Sequence, residues 1–146
     1  MLNHIYNWHK YVSTKKTNSN HTICPFAHNA KFIILKGDIE FIENQIVNWN
    51  DELDVIIIEY TKYILPTIAQ KLEDRLNKQR DDITVLIDHY ENPGYIGGTN
   101  TSCGHNKILF LIQNRHKLNE ARKTLEKTNY YDNWSKEYKE KIWRNK

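Results

Sequence analysis

Four short runs in which apolar residues follow one another almost without a polar break decide what this chain can become. They are Phe32-Ile33-Ile34-Leu35, Val55-Ile56-Ile57-Ile58, Ile83-Thr84-Val85-Leu86-Ile87 and Ile108-Leu109-Phe110-Leu111-Ile112. A strand with one wet face alternates apolar and polar residues, so continuous runs belong to strands covered on both faces. The stretches between them carry the helical period instead. Ile39, Ile42, Ile46 and Trp49 share a face behind Asp38, a good N-cap. Ile68, Leu72 and Leu76 do so behind Pro66, which suits a first helical turn, and this helix should end near Arg80. Leu118, Ala121 and Leu125 predict a third. A short amphipathic helix over residues 2–14, built on Leu2, Ile5, Tyr6, His9 and Val12, precedes the first strand, and Trp134, Tyr138 and Ile142 mark a last helix or arm.

Two strand-helix-strand units with right-handed crossovers give three parallel strands, and the direct link to the fourth turns it antiparallel. The expectation is one α/β domain: a four-stranded mixed sheet, three strands parallel and one antiparallel, with helices on both faces. A one-sided ferredoxin-like α+β arrangement is the alternative, because strand order is not written in the pattern. Residues 1–20 would be the N-terminal helix and a polar connection, 21–127 the α/β body and 128–146 a helical arm.

Met1 to Lys16, with His4 and His9, does not read as a secretory leader and no apolar run reaches the length of a membrane span, so the expectation is a cytoplasmic protein whose cysteines are thiols or ligands. The formal charge of +3 is too balanced to indicate nucleic acid. Lys117, Arg122, Lys123 and Lys127, then Lys136, Lys139, Lys141, Arg144 and Lys146, are interrupted by Glu120, Glu126, Glu137 and Glu140 and read as a solvated, salt-laced surface. A homo-oligomer stays open.

Chemistry concentrates between Asp88 and His105, which hold four of the five glycines, one of the two cysteines and two of the seven histidines. Ligands of open α/β sheets bind beyond the carboxyl ends of parallel strands. That edge would collect Glu59, Tyr60, Asp88, His89, Glu91, Cys103 and His105. Tyr95, Gly97, Gly98, Thr99, Asn100 and Ser102 are candidates to line a ligand, since glycine-rich backbone can turn its N–H groups toward an anion. Cys24 and His28 precede the first strand and so start at the opposite edge, about 17 Å away. A joint centre of Cys24, His28, Cys103 and His105, with a transition metal as cofactor, would need their connection to fold back over a face.

Ile23-Cys24-Pro25-Phe26-Ala27 resembles the Leu-Cys-Pro-Phe-Ala box of an uncharacterised bacterial domain family. Members of that family also carry a strand ending in histidine, an aromatic, Gly-Thr and then Thr-Asn-x-Ser. The counterparts are His89, Tyr95, Gly98-Thr99 and Thr99-Asn100-Thr101-Ser102, with Cys103 where a proline commonly follows. The resemblance spans roughly Asn20 to Arg122 and implies that Cys24 and His89 act together. The resulting expectation is a small cytosolic enzyme, thiol-dependent or metal-assisted, with Cys24 as nucleophile or ligand and His89 as base or ligand. Asp88 and Glu59 would orient them. The alternative is a non-catalytic module that recognises an anion, a nucleotide or a protein partner.

Overall fold

A computed structural model of the protein describes residues 3–17, 20–96 and 98–143. Leu2, Gly97, Arg144 and Lys146 among the residues named above lie outside that description. The elements are α1 (Asn3–Thr14), β1 (Phe32–Gly37), α2 (Ile39–Val47), β2 (Val55–Tyr60), α3 (Pro66–Asn77), β3 (Ile83–His89), β4 (Tyr95–Ile96), β5 (Thr99–Asn100), β6 (Ile108–Asn114), α4 (Arg115–Glu126) and α5 (Lys136–Trp143), with 3-10 turns at Ala27–Asn29 and Tyr130–Asn133. Asp38 caps α2 as expected, its carboxylate accepting the Phe41 amide at 3.1 Å. Asn114 caps α4 in the same way through the Lys117 amide. None of the described helices is long and apolar enough to cross a membrane.

The main sheet has the order β1-β2-β6-β3, and β4 pairs with β5 in a separate hairpin. β1 and β2 are parallel, while β6 is antiparallel to both β2 and β3. β1, β2 and β3 therefore point the same way, as the crossovers require, but only one pair is parallel. The expected mixed sheet is found, but the three like-directed strands are not contiguous, because β6 enters between β2 and β3 and separates them. Its residues from Ile108 to Ile112 are all buried, so it belongs in the middle of the sheet. The full cover expected of β1 is corrected too, because β1 is an edge strand whose Ile33 is partly exposed.

Side chains alternate across each strand, and the two faces are filled differently. On one, α2 and α3 close a continuous core in which Ile42, Ile46, Ala69 and Leu76 meet Ile56, Ile58, Val85, Ile87, Phe110 and Ile112. The other face carries three smaller clusters, around Ile5 with Leu109, around Val12 with Ile96, and around Leu125 with Tyr130. Helices on both faces set aside the one-sided ferredoxin-like alternative.

Candidate functional site

Between those three clusters lies a cavity of about 420 Å3. Its floor is the sheet, where Ile57, Leu86, Leu111 and Asp88 face it. Its walls are Trp8 and Val12 of α1, the segment from Ile23 to Ala27, Leu118, Ala121 and Arg122 of α4, and the aromatic residues Tyr130, Tyr131, Trp134 and Tyr138. Asn29 and Lys117 are the exposed lining residues and mark the mouth, where Lys117 Nζ pairs with Asp54 at 2.8 Å.

The Cys24 box reaches this face because the chain doubles back after α1. Lys16 bridges Thr22, the Ile23 amide donates to the Lys15 carbonyl, and the Cys24 amide donates to the Val12 carbonyl at 2.7 Å. Cys24 thereby packs with Val12 and Ile96. Burial pushes its thiol above the ordinary value and outweighs the amides of Ala27 and Phe26, which favour the thiolate. At neutral pH it is a thiol.

Arg122 is the cavity's most unusual group. Only 6% of it is exposed, and among the described residues its Nη1 has no hydrogen-bond partner and no carboxylate pairs with it. Burial pulls its basicity down, and the groups whose ionisation would counter this are Tyr131, Cys24, Tyr130 and Tyr138. Tyr130 donates its hydroxyl to the Ile23 carbonyl, and the Tyr138 and Thr101 hydroxyls lie 3.2 Å apart. Trp134 packs edge-on against Tyr130 and Tyr131, with its own Nε1 buried and unpartnered. Grouping Arg122 with the solvated basic residues is thus corrected. It stands four residues after Leu118 and three before Leu125, a charged residue on the apolar stripe, and that spacing was the available signal.

Cys24 and His89 are not brought together. His89 sits on the opposite face, 3% exposed, its Nε2 2.7 Å from the Ile64 carbonyl and its Nδ1 accepting the Glu91 amide. Its ring stacks on Tyr90 and meets Tyr63 edge-on. Both nitrogens are satisfied within the fold.

Asp88 does face the cavity, yet it works as a clasp: Oδ2 accepts the Cys103 amide at 2.9 Å, and Ser102 bonds to it as well. It ties together both ends of the glycine-rich stretch. Ser102 Oγ also accepts the Gly94 amide, and Asn100 accepts the Ser102 amide. Gly94 is required by packing, since a Cβ there would come within 2.4 Å of the Tyr138 ring. The Trp8 indole donates to the Thr101 carbonyl and pins the hairpin to α1. Tyr95, Gly98 and Asn100 are exposed, and with Thr99 and Ser102 they lie outside the cavity lining.

The four proposed metal ligands also part. Cys103 packs with Ile5 and Leu109, whereas His105 is exposed and stacks on His4. His28 is exposed on its 3-10 turn, and both cysteines are free. Among the described residues no group of three or more His, Cys, Asp or Glu is placed to hold a metal ion. Glu59 is held by Lys107 at 2.9 Å and Lys36 at 3.4 Å. Burial raises its pKa, but those two lysines outweigh burial and leave it below the usual carboxylate range.

No protein-family model, curated protein or solved structure matches this chain, so the action of the site has to be read from its own geometry.

Proposed function

We propose that the protein is a binding module that takes a small, largely apolar molecule into the cavity between the sheet and the α1/α4 side. The observation that carries this reading is the cavity itself. Well-packed interiors leave few voids larger than a water molecule, and about 420 Å3 between aliphatic floor and aromatic wall falls within the roughly 300–1,000 Å3 of small-molecule sites. The opposite face, built from the same sheet, carries a single continuous apolar cluster. A protonated Cys24 thiol weighs against thiol catalysis as the primary role.

The neutral fluorophore N-phenyl-1-naphthylamine tests it. The wild-type protein should bind one equivalent with enhanced fluorescence. Leu86→Trp, which puts an indole into the floor, should abolish that signal while circular dichroism and the urea midpoint show an intact fold. Absence of binding by the wild type, or equal binding by a folded Leu86→Trp variant, overturns the reading.

A further inference from the structure

We propose that the cavity's ligand is an acid, an apolar body ending in one carboxylate that is received by Arg122 with Trp134 beside it; this deepens the cavity-binding reading and rests on it. A guanidinium buried to this degree normally has a carboxylate partner, because removing a charge from water costs several kcal/mol unless it is paired. Arg122 has none among the described residues, and its Nη1 is left without an acceptor. The residues around it cannot supply one. Cys24 is a thiol, and burial holds Tyr131 near 12 and raises Tyr130 further still, so both keep their protons. Tyr130 spends its hydrogen on the Ile23 carbonyl.

Another donor without a partner among the described residues, Trp134 Nε1, is in the same neighbourhood. The Trp134 indole is 5.5 Å from Tyr130, 4.8 Å from Tyr131 and 4.7 Å from Tyr138, ring to ring, and these are the three tyrosines whose ionisation would be felt by Arg122. Two N–H groups, one of them cationic, thus lack an acceptor beside one aromatic cluster. Arg presents a planar fork that matches a carboxylate. Leu86, Leu111, Ile57 and Val12 continue the cavity with aliphatic surface for the rest of the molecule. Asp88, the carboxylate on the floor, is absent from the groups acting on Arg122, and the amide of Cys103 and Ser102 already engage it. It forms no ion pair with Arg122.

Decanoate, decanol and decylamine competing against N-phenyl-1-naphthylamine decide the matter. Decanoate should displace the fluorophore at a concentration at least about tenfold lower than decanol, the size of one charge-assisted hydrogen bond, and decylamine should be weakest. In Arg122→Met the fluorophore should still bind and the preference for acid should vanish. Trp134→Phe, which keeps the ring and removes the donor, should reduce the preference and offers a second route if Arg122→Met misfolds. Equal displacement by acid and alcohol in the wild type, or a folded Arg122→Met that still prefers acid, overturns acid recognition and leaves the cavity reading standing. Failure of the wild type to bind the fluorophore overturns both.

Discussion

Asn77 pairs with Val85 as a neighbouring strand would. Its Nδ2 donates to the Val85 carbonyl at 2.8 Å and its Oδ1 accepts the Val85 amide at 2.8 Å. β3 is an edge strand, and two positions on, the Ile87 amide is taken by Glu73 Oε1 at 2.8 Å. α3 thus covers the middle of the β3 edge with two side chains, which satisfy three of the backbone groups that would otherwise invite a second chain.

Replacing Asn77 by alanine should therefore be among the most damaging polar substitutions. It strands a buried amide and carbonyl of Val85 and removes the bond to the Glu73 carbonyl. At roughly 1–3 kcal/mol for each orphaned group, the expected loss is about 2–6 kcal/mol, measured as a lower urea midpoint. A concentration-dependent rise in light scattering near the midpoint should accompany it, since the reopened edge is available for pairing. A midpoint within 0.5 kcal/mol of wild type, a bound set by ordinary surface changes of about that size, would show that the pairing does not matter.

Glu73 predicts a pH dependence. Burial raises its pKa, more than the Ile87 amide and Gln70 lower it. The folded protein therefore holds this proton over a range in which the unfolded chain has released it. The contribution is complete below the unfolded value and is lost as pH rises through the folded one. Glu59 runs the opposite way, its stabilisation present above the unfolded value and lost as pH falls. Glu73→Gln keeps an acceptor for Ile87 and never ionises. Its stability relative to wild type should accordingly increase from pH 4 to pH 8 in urea titrations. A difference independent of pH would contradict the burial of a titrating carboxyl.

Much of this fold could be read from the chain, and the reasons are local. Asp38 and Pro66 announce helix starts by chemistry that acts within one turn, and the four apolar runs are strands whatever their order. The place of β6 between β2 and β3 is a long-range choice, and no residue near the link from Tyr90 to Lys107 encodes it. The same holds for the site. Cys24 and Asp88 were legible as reactive residues and both reach the cavity. The face on which each side chain falls depends on strand parity and on the doubled-back chain after α1. His89 is one residue from Asp88 and so points to the other side of the sheet. Arg122 alone carried its signal openly, as a charge on an apolar stripe.

The thiols should be quiet. Burial pushes Cys103 to about 12, with the Asp88 charge acting in the same direction, and burial also raises Cys24. Since the thiolate is the reactive form, the native protein at pH 7.5 should react with a disulfide reagent at least about tenfold more slowly than a free thiol. Unfolding in guanidinium should release both of the chain's cysteines. Decanoate at saturation should slow Cys24 further, because that thiol lines the cavity. Rapid reaction of one equivalent in the native state would restore the case for a nucleophilic Cys24.

Arg122 carries the last prediction, which separates a binding role from a structural one by the sign of a stability change. An interior charge kept for packing should be missed when removed, and its loss should destabilise the fold. An interior charge kept for a ligand is a burden to the empty protein, because its desolvation is uncompensated. Methionine fills much of the same volume and its flexible thioether adapts to the aromatic walls. Arg122→Met in the ligand-free protein should therefore be at least as stable as wild type, with a gain of up to about 4 kcal/mol by analogy with buried ions replaced by apolar residues. Decanoate should raise the wild-type urea midpoint by more than it raises that of Arg122→Met, since a ligand stabilises the state it binds in proportion to its affinity for it. The two curves should converge as ligand is added. A ligand-free Arg122→Met that unfolds at a clearly lower midpoint would mean that the guanidinium already holds its partner within the chain.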